Sequence, residues 1–101
     1  MNNKKAKICM NAMVANEAKT ITRMLDSVYK YIDYWVVQDN GSTDGTQEII
    51  RKYFAEKGIP GFLYETEWHY PGYNRDHALQ TCLKADHGCD WIIRMDADER
   101  L

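Results

Sequence analysis

The stretch YWVVQDNGSTDGTQEII, residues 34–50, changes its hydrophobic period once, and that change decides the fold. Tyr34, Trp35, Val36 and Val37 form an apolar run of aromatic and β-branched side chains, which favours a strand. The run ends at Gln38 and Asp39. Residues 40–45, Asn-Gly-Ser-Thr-Asp-Gly, are dense in turn formers. From Thr46 onward the apolar residues Ile49, Ile50, Tyr53 and Phe54 recur at helical spacing. A helix over about 46–56 is expected, closed by Gly58 and then Pro60. Ser42, Thr43 or Asp44 is placed to cap its start.

The same alternation runs outward in both directions. Upstream, residues 7–14 read as a buried strand, and Ile21, Met24, Leu25, Val28, Tyr29 and Ile32 as one face of a helix over about 18–31. Downstream come a strand at 62–66, a loop at 67–72, a helix at 73–85 and a strand at 91–95, with Asp96 beginning the next loop. The order is βαβαβαβ. Helical connections between successive strands imply parallel pairing through right-handed crossovers. The fold class is therefore α/β, an open, mainly parallel, Rossmann-like sheet with helices on both faces. Ligands of such sheets bind at the carboxyl ends of the strands. That rule selects residues 13–17, 39–45 and 96–99, where the unusual polar residues cluster.

Composition narrows the function. Hydrophobic residues are 45% of the chain, charged residues 28%, and the formal net charge is −2, so no basic stripe offers itself to nucleic acid. No apolar run approaches the ~18 residues of a membrane span, and the first one, interrupted by Asn11, is too short for a signal peptide. Three cysteines, Cys9, Cys82 and Cys89, fit a reducing, cytoplasmic setting, with Cys9 and Cys82 as small buried hydrophobes. One domain accounts for the whole length.

Asp96-Ala97-Asp98 is the first chemical motif. Two carboxylates two positions apart, just beyond an apolar strand, can converge on one hard cation, and Mg²⁺ or Mn²⁺ commonly completes its shell with phosphate oxygens. Glu99 extends the acidic cluster, either as a further ligand or as an exposed charge. Asp39 is the second candidate, a carboxylate at a strand end able to accept from a base N–H. Residues 39–46 are not a phosphate-binding P-loop, because they lack the Gly-Lys-Ser/Thr ending. They are not an EF-hand either, since Arg51 falls where a bidentate Glu is required.

The apolar strand leading to Asn16-Glu17, the run 36–46, the Arg-x-x-Ala-Leu of 75–79 and the Asp-Trp-Ile-Ile-Arg-Met-Asp-Ala-Asp-Glu of 90–99 together resemble glycosyltransferase family 2. The likeness covers about residues 7–101. It implies a GT-A-type fold that binds a nucleotide-diphosphate sugar, with UDP as the default nucleotide, for inverting transfer to an acceptor hydroxyl. It implies nucleotide contacts from Met13, Ala15, Glu17, Asp39 and Arg75. Asp96 would contact ribose or a metal-bound water, and Asp98 would hold Mn²⁺ or Mg²⁺ directly. Many members carry an aromatic residue where this sequence has Ala15, so base stacking is not expected from that position. For Arg75 the alternative is a surface ion pair with Asp76. Trp68, His69, Tyr70 and Tyr73 either border the sugar or cover the sheet edge.

The chain stops three residues after Asp98, whereas family members continue into an acceptor site and a catalytic base. The expectation is a donor-binding fragment of a longer transferase, inactive alone, its fourth strand near an open edge through which copies can associate. The competing reading is a non-catalytic nucleotide-binding or assembly module of the same fold. A phosphatase of the haloacid dehalogenase type places its Asp-x-Asp after the first strand, not the fourth, and is disfavoured.

Overall fold

The computed structural model of the chain describes residues 6–67, 71–84 and 88–96, with residues 71–76 and 96 described by backbone alone. Four strands, β1 (Ile8–Val14), β2 (Tyr34–Asp39), β3 (Gly61–Glu65) and β4 (Trp91–Asp96), alternate with three helices, α1 (Ile21–Val28), α2 (Thr46–Lys57) and α3 (Pro71–Lys84). All strand pairs are parallel, and the order across the sheet is β3-β2-β1-β4. This is the expected Rossmann-like open α/β sheet. Because the chain steps from β1 out to β3 and returns to β4 on the other side of β1, the order reverses beside β1. A crevice outside the carboxyl ends forms at such a reversal.

Strand alternation sorts the core into two layers. Met10, Ala12 and Val14 of β1, Trp35 and Val37 of β2 and Met95 of β4 meet Ile21, Met24, Leu25 and Val28 of α1 and Ile50, Tyr53 and Phe54 of α2. Each such side chain, fully buried, stabilises the fold by about 1.5–3 kcal/mol. The Trp35 indole stacks on Phe54 at 4.6 Å between ring centroids, and its Nε1 donates to the Ile59 carbonyl at 3.0 Å. The opposite layer, under α3, is smaller and more polar. Cys9, Val36 and Cys82 are its buried apolar centre. Asn11 and Gln38 are buried in the same alternation on that face.

Most element boundaries match the hydrophobic pattern. α2 ends as expected: Gly58 takes the left-handed conformation at φ 69°, and Ile59 N–H donates back to the Phe54 carbonyl at 3.1 Å. The first helix is shorter than its apolar spacing predicts. The Glu17 carbonyl accepts from both Thr20 N–H and Ile21 N–H, so residues 18–20 form a turn, and regular helix begins at Ile21. Residues 29–31 continue it as one 3₁₀ turn, tighter than an α-helix. Asp96 is the last residue of β4, paired with Met13, rather than the first of a loop. No helix among the described residues is long and apolar enough to cross a membrane.

Candidate functional site at the strand tips

Parallel register brings the selected segments to one end of the sheet. Val14 of β1 is the partner of Asp39, and Met13 is the partner of both Gln38 and Asp96. The tips of β2, β1 and β4 therefore lie side by side, as the motif spacing implies. Met13 is half-buried and Ala15 exposed at that end.

Two turns leave these tips, and they are hydrogen-bonded to each other. Asn16 has φ 54°, a left-handed conformation that Asn tolerates better than most residues. In that conformation its Oδ1 accepts from Thr43 N–H at 2.8 Å, while its own N–H donates to Ser42 Oγ at 2.9 Å. Glu17 N–H donates to Thr46 Oγ1 at 2.9 Å, and Ala18 N–H to Asp44 Oδ2 at 3.1 Å. Asp44 Oδ1 accepts from Thr46 N–H at 3.1 Å, so Asp44 satisfies the first free amide of α2. These hydrogen bonds, led by that of the Thr46 hydroxyl, hold the exposed Asp44 carboxyl below its ordinary value. The Glu17 carboxylate turns back to its own turn, where Thr20 Oγ1 lies 3.3 Å from Oε2.

Asp39 is fully buried. Its Oδ2 accepts from Gly41 N–H at 3.2 Å, Ser42 N–H at 2.9 Å and Gln47 Nε2 at 2.8 Å, and its Oδ1 accepts from Ser42 Oγ. A buried carboxylate needs such donors to offset its desolvation. Here they come from the turn it organises. In this arrangement Asp39 sets the course of residues 40–47.

The neighbouring residue has what Asp39 lacks. Asn40 is buried, its Oδ1 takes a long 3.5 Å hydrogen bond from Gln38 Nε2, and its Nδ2 has no partner. Gln38 is oriented from the α3 side. Tyr64 Oη donates to Gln38 Oε1 at 2.6 Å, and His77 Nδ1 lies 2.9 Å from the same oxygen, close enough to donate as its Nδ1–H tautomer. A buried donor left unpaired costs about 1–3 kcal/mol, so such a group calls for an explanation. Asn40 also lines a cleft of about 590 Å³ with Gly41, Glu65, Thr66 and Glu67, a volume suited to a small-molecule ligand. The cleft lies over the tips of β2 and β3, with the tip of β1 one strand further along the sheet and that of β4 two. Sequence reasoning chose Asp39 and passed over Asn40, because a carboxylate at a strand end reads as the stronger ligand. The signal for Asn40 is a tertiary one, namely which of two adjacent polar side chains is already satisfied.

The remaining predicted residues stand as follows. Arg75 is in the first half of α3 and Asp96 ends β4, both described by backbone alone. Asp98, Glu99, Trp68, His69 and Tyr70 lie outside the described residues. Among the described residues no three His, Cys, Asp or Glu side chains gather as a metal site. An oxygen donor at the Asp96 position suits a hard divalent cation in kind, and the other expected ligand is Asp98.

Comparison with known proteins identifies the family. The sequence profile described as Glycosyl transferase family 2 matches residues 13–101. The lipopolysaccharide core biosynthesis glycosyltransferase LpsC of Rhizobium meliloti (strain 1021) is 33% identical over 86 residues, covering 85% of this chain and 29% of that protein. An uncharacterized glycosyltransferase of Rickettsia felis is 33% identical over 95 residues, 94% of this chain and 30% of the relative. A TPR repeat-containing protein of Synechococcus elongatus is 32% identical over 96 residues, 95% of this chain and 21% of the relative. The chain spans about three tenths of the length of the first two of these relatives.

Proposed function

The chain belongs to glycosyl transferase family 2, and on that premise we propose that it forms the donor side of a sugar-transfer site, holding a nucleotide-diphosphate sugar across the tips of β1, β2 and β4. The observation that carries this reading is the register that sets Met13 and Val14 beside Asp39 and Asp96, with a cleft opening next to Asn40. In this reading the base enters at the β2 tip, where a turn of the Asn40 side chain would bring its Nδ2, closed to solvent in this arrangement, to a carbonyl oxygen of the base. Asp39 holds the turn beneath it. For Asp39 itself to accept from a base N–H, the Ser42 hydroxyl would have to leave Oδ1. Met13, Ala15 and Glu17 border the ribose, and Arg75 the base edge or diphosphate.

Asp96 and Asp98 would hold Mn²⁺ or Mg²⁺, which supplies positive charge against a leaving diphosphate. UDP is the nucleotide we take as donor carrier, and inversion at the anomeric carbon as the stereochemical course. Inversion needs a base that deprotonates the acceptor hydroxyl. We assign that role to no residue of this chain.

Titration of the chain with UDP, in the presence and absence of Mn²⁺, tests the proposal. Binding that strengthens with Mn²⁺, and loses that dependence in Asp98→Ala, is the expected result. Binding indifferent to the metal in both proteins would favour the non-catalytic nucleotide-binding module. No binding under either condition would remove the donor-site reading.

A further inference from the structure

At the other end of the sheet two thiols meet, and a third packs beside them. Cys9, near the start of β1, pairs with Tyr34 and Ile92, so it lies toward the strands' amino ends, away from the candidate nucleotide site. Its Sγ is 3.4 Å from Cys82 Sγ on α3, and both residues are fully buried. Cys89, half-buried in the segment leading to β4, packs against the same cluster. None of the three is in a disulfide. We propose that Cys9, Cys82 and Cys89 form a thiol relay, in which a small disulfide enters at Cys89 and a Cys9–Cys82 bond is left tying β1 to α3.

The order of events follows from burial and distance. Cys89 is half-buried and so the most open of the three to a reagent, although burial and then the nearby Asp33 raise its thiol above the ordinary value; Cys9 and Cys82 are closed to solvent. The buried pair is already in sulfur–sulfur contact: closing 3.4 Å to the ~2.05 Å of a disulfide takes about 1.4 Å. Their proton is unevenly shared. The mutual hydrogen bond, then burial, holds the proton on Cys9, and the same bond, helped by Arg94, favours the thiolate at Cys82. Exchange is carried out by thiolates, so each sulfur of the pair attacks in its deprotonated form.

Exchange balances without any further reagent. Cys89 thiolate attacks one sulfur of an external disulfide R–S–S–R, forming a mixed disulfide and releasing R–S⁻. Cys82 thiolate then attacks the Cys89 sulfur and expels the second R–S⁻. Cys9, on losing its proton, attacks the Cys82 sulfur and releases Cys89 as thiolate. Two protein thiols are oxidised to one disulfide, one external disulfide is reduced to two thiols, and the protons of Cys9 and Cys82 pass to them. Cys89 is regenerated. The new bond closes the long loop between β1 and α3, which restricts the unfolded chain.

Incubation of the chain with glutathione disulfide, followed by intact mass and non-reducing peptide mapping, tests the relay. The expected product is two hydrogens lighter, carries a Cys9–Cys82 link, melts at higher temperature and reverts with dithiothreitol. Cys89→Ser is expected to give the same product roughly tenfold more slowly or worse. Glutathione retained on Cys89, a final link that includes Cys89, or three thiols all alkylated after denaturation would overturn the proposal. So would a Cys89→Ser chain oxidised as fast as the parent.

Discussion

Adjacent residues of similar chemistry hold opposite positions at the β2 tip. Asp39 has spent its carboxylate on three donors within its own turn and a fourth, Gln47, on α2, and Asn40 keeps an amide with no partner. Two substitutions separate these roles. Asp39→Ala leaves buried donors orphaned and is expected to destabilise the fold by about 2–4 kcal/mol in urea unfolding. Asp39→Asn keeps an acceptor toward Gly41, Ser42 and Gln47 and can donate to the Ser42 hydroxyl, so its loss should be about 1 kcal/mol. Asn40→Ala removes an unsatisfied group, so its stability should change little while UDP affinity falls by about tenfold, a loss near 1.4 kcal/mol. Affinity unchanged in Asn40→Ala would return base recognition to Asp39.

Asp44 gives a pH prediction at the same scale. Its folded-state pKa lies below the ordinary 3.8, so its stabilising contribution is complete above that value and is lost as pH falls through the folded value. Asp44→Asn should lower the melting temperature at neutral pH, and the gap from the parent chain should shrink on acidification below about pH 4. A gap constant down to pH 2 would contradict the assignment. The sequence made the capping role of residues 42–44 legible. It did not show that Asp44 also accepts from Ala18, because that partner arrives from the other turn.

At the scale of elements, β3 depends on one small residue. Gly61 pairs with Trp35, and a Cβ on it would meet the Trp35 carbonyl oxygen at 2.2 Å and the indole at 2.4 Å. Backbone and a stacked ring cannot both yield, so Gly61→Ala is expected to cost about 1–3 kcal/mol and to loosen β3 in hydrogen exchange. A wild-type melting temperature in that variant would show that the strand edge can shift. Gly61 reads in sequence only as the residue after a proline. Its steric role comes from register. The early part of the first helix was misread for a related reason. Residues 18–20 precede the first position of the apolar face, Ile21, and serve the turn instead: Ala18 N–H donates to Asp44 Oδ2 and Thr20 N–H to the Glu17 carbonyl.

For the whole molecule, the sheet order β3-β2-β1-β4 places the tips of β2, β1 and β4 side by side and leaves β4 as an outer strand of the described four. The chain covers 29–30% of the LpsC and Rickettsia felis relatives. We therefore expect it to bind a nucleotide diphosphate without transferring sugar on its own, as measured by release of free UDP from a UDP-sugar with and without candidate acceptors. Acceptor-dependent turnover by this chain would place the missing base within it.

Hydrophobic period, turn composition and motif order were enough to determine the alternating α/β fold and the parallel direction of its strands. Those properties are local, or follow from chain handedness, so they are written along the sequence. The bonding of residues 16–18 to residues 42–46 depends on turns that meet only in the folded chain. The meeting of Cys9 with Cys82 likewise belongs to the folded chain. Tertiary packing alone decided both, because a hydrogen bond or a sulfur contact is fixed by distance in space and not by separation along the chain.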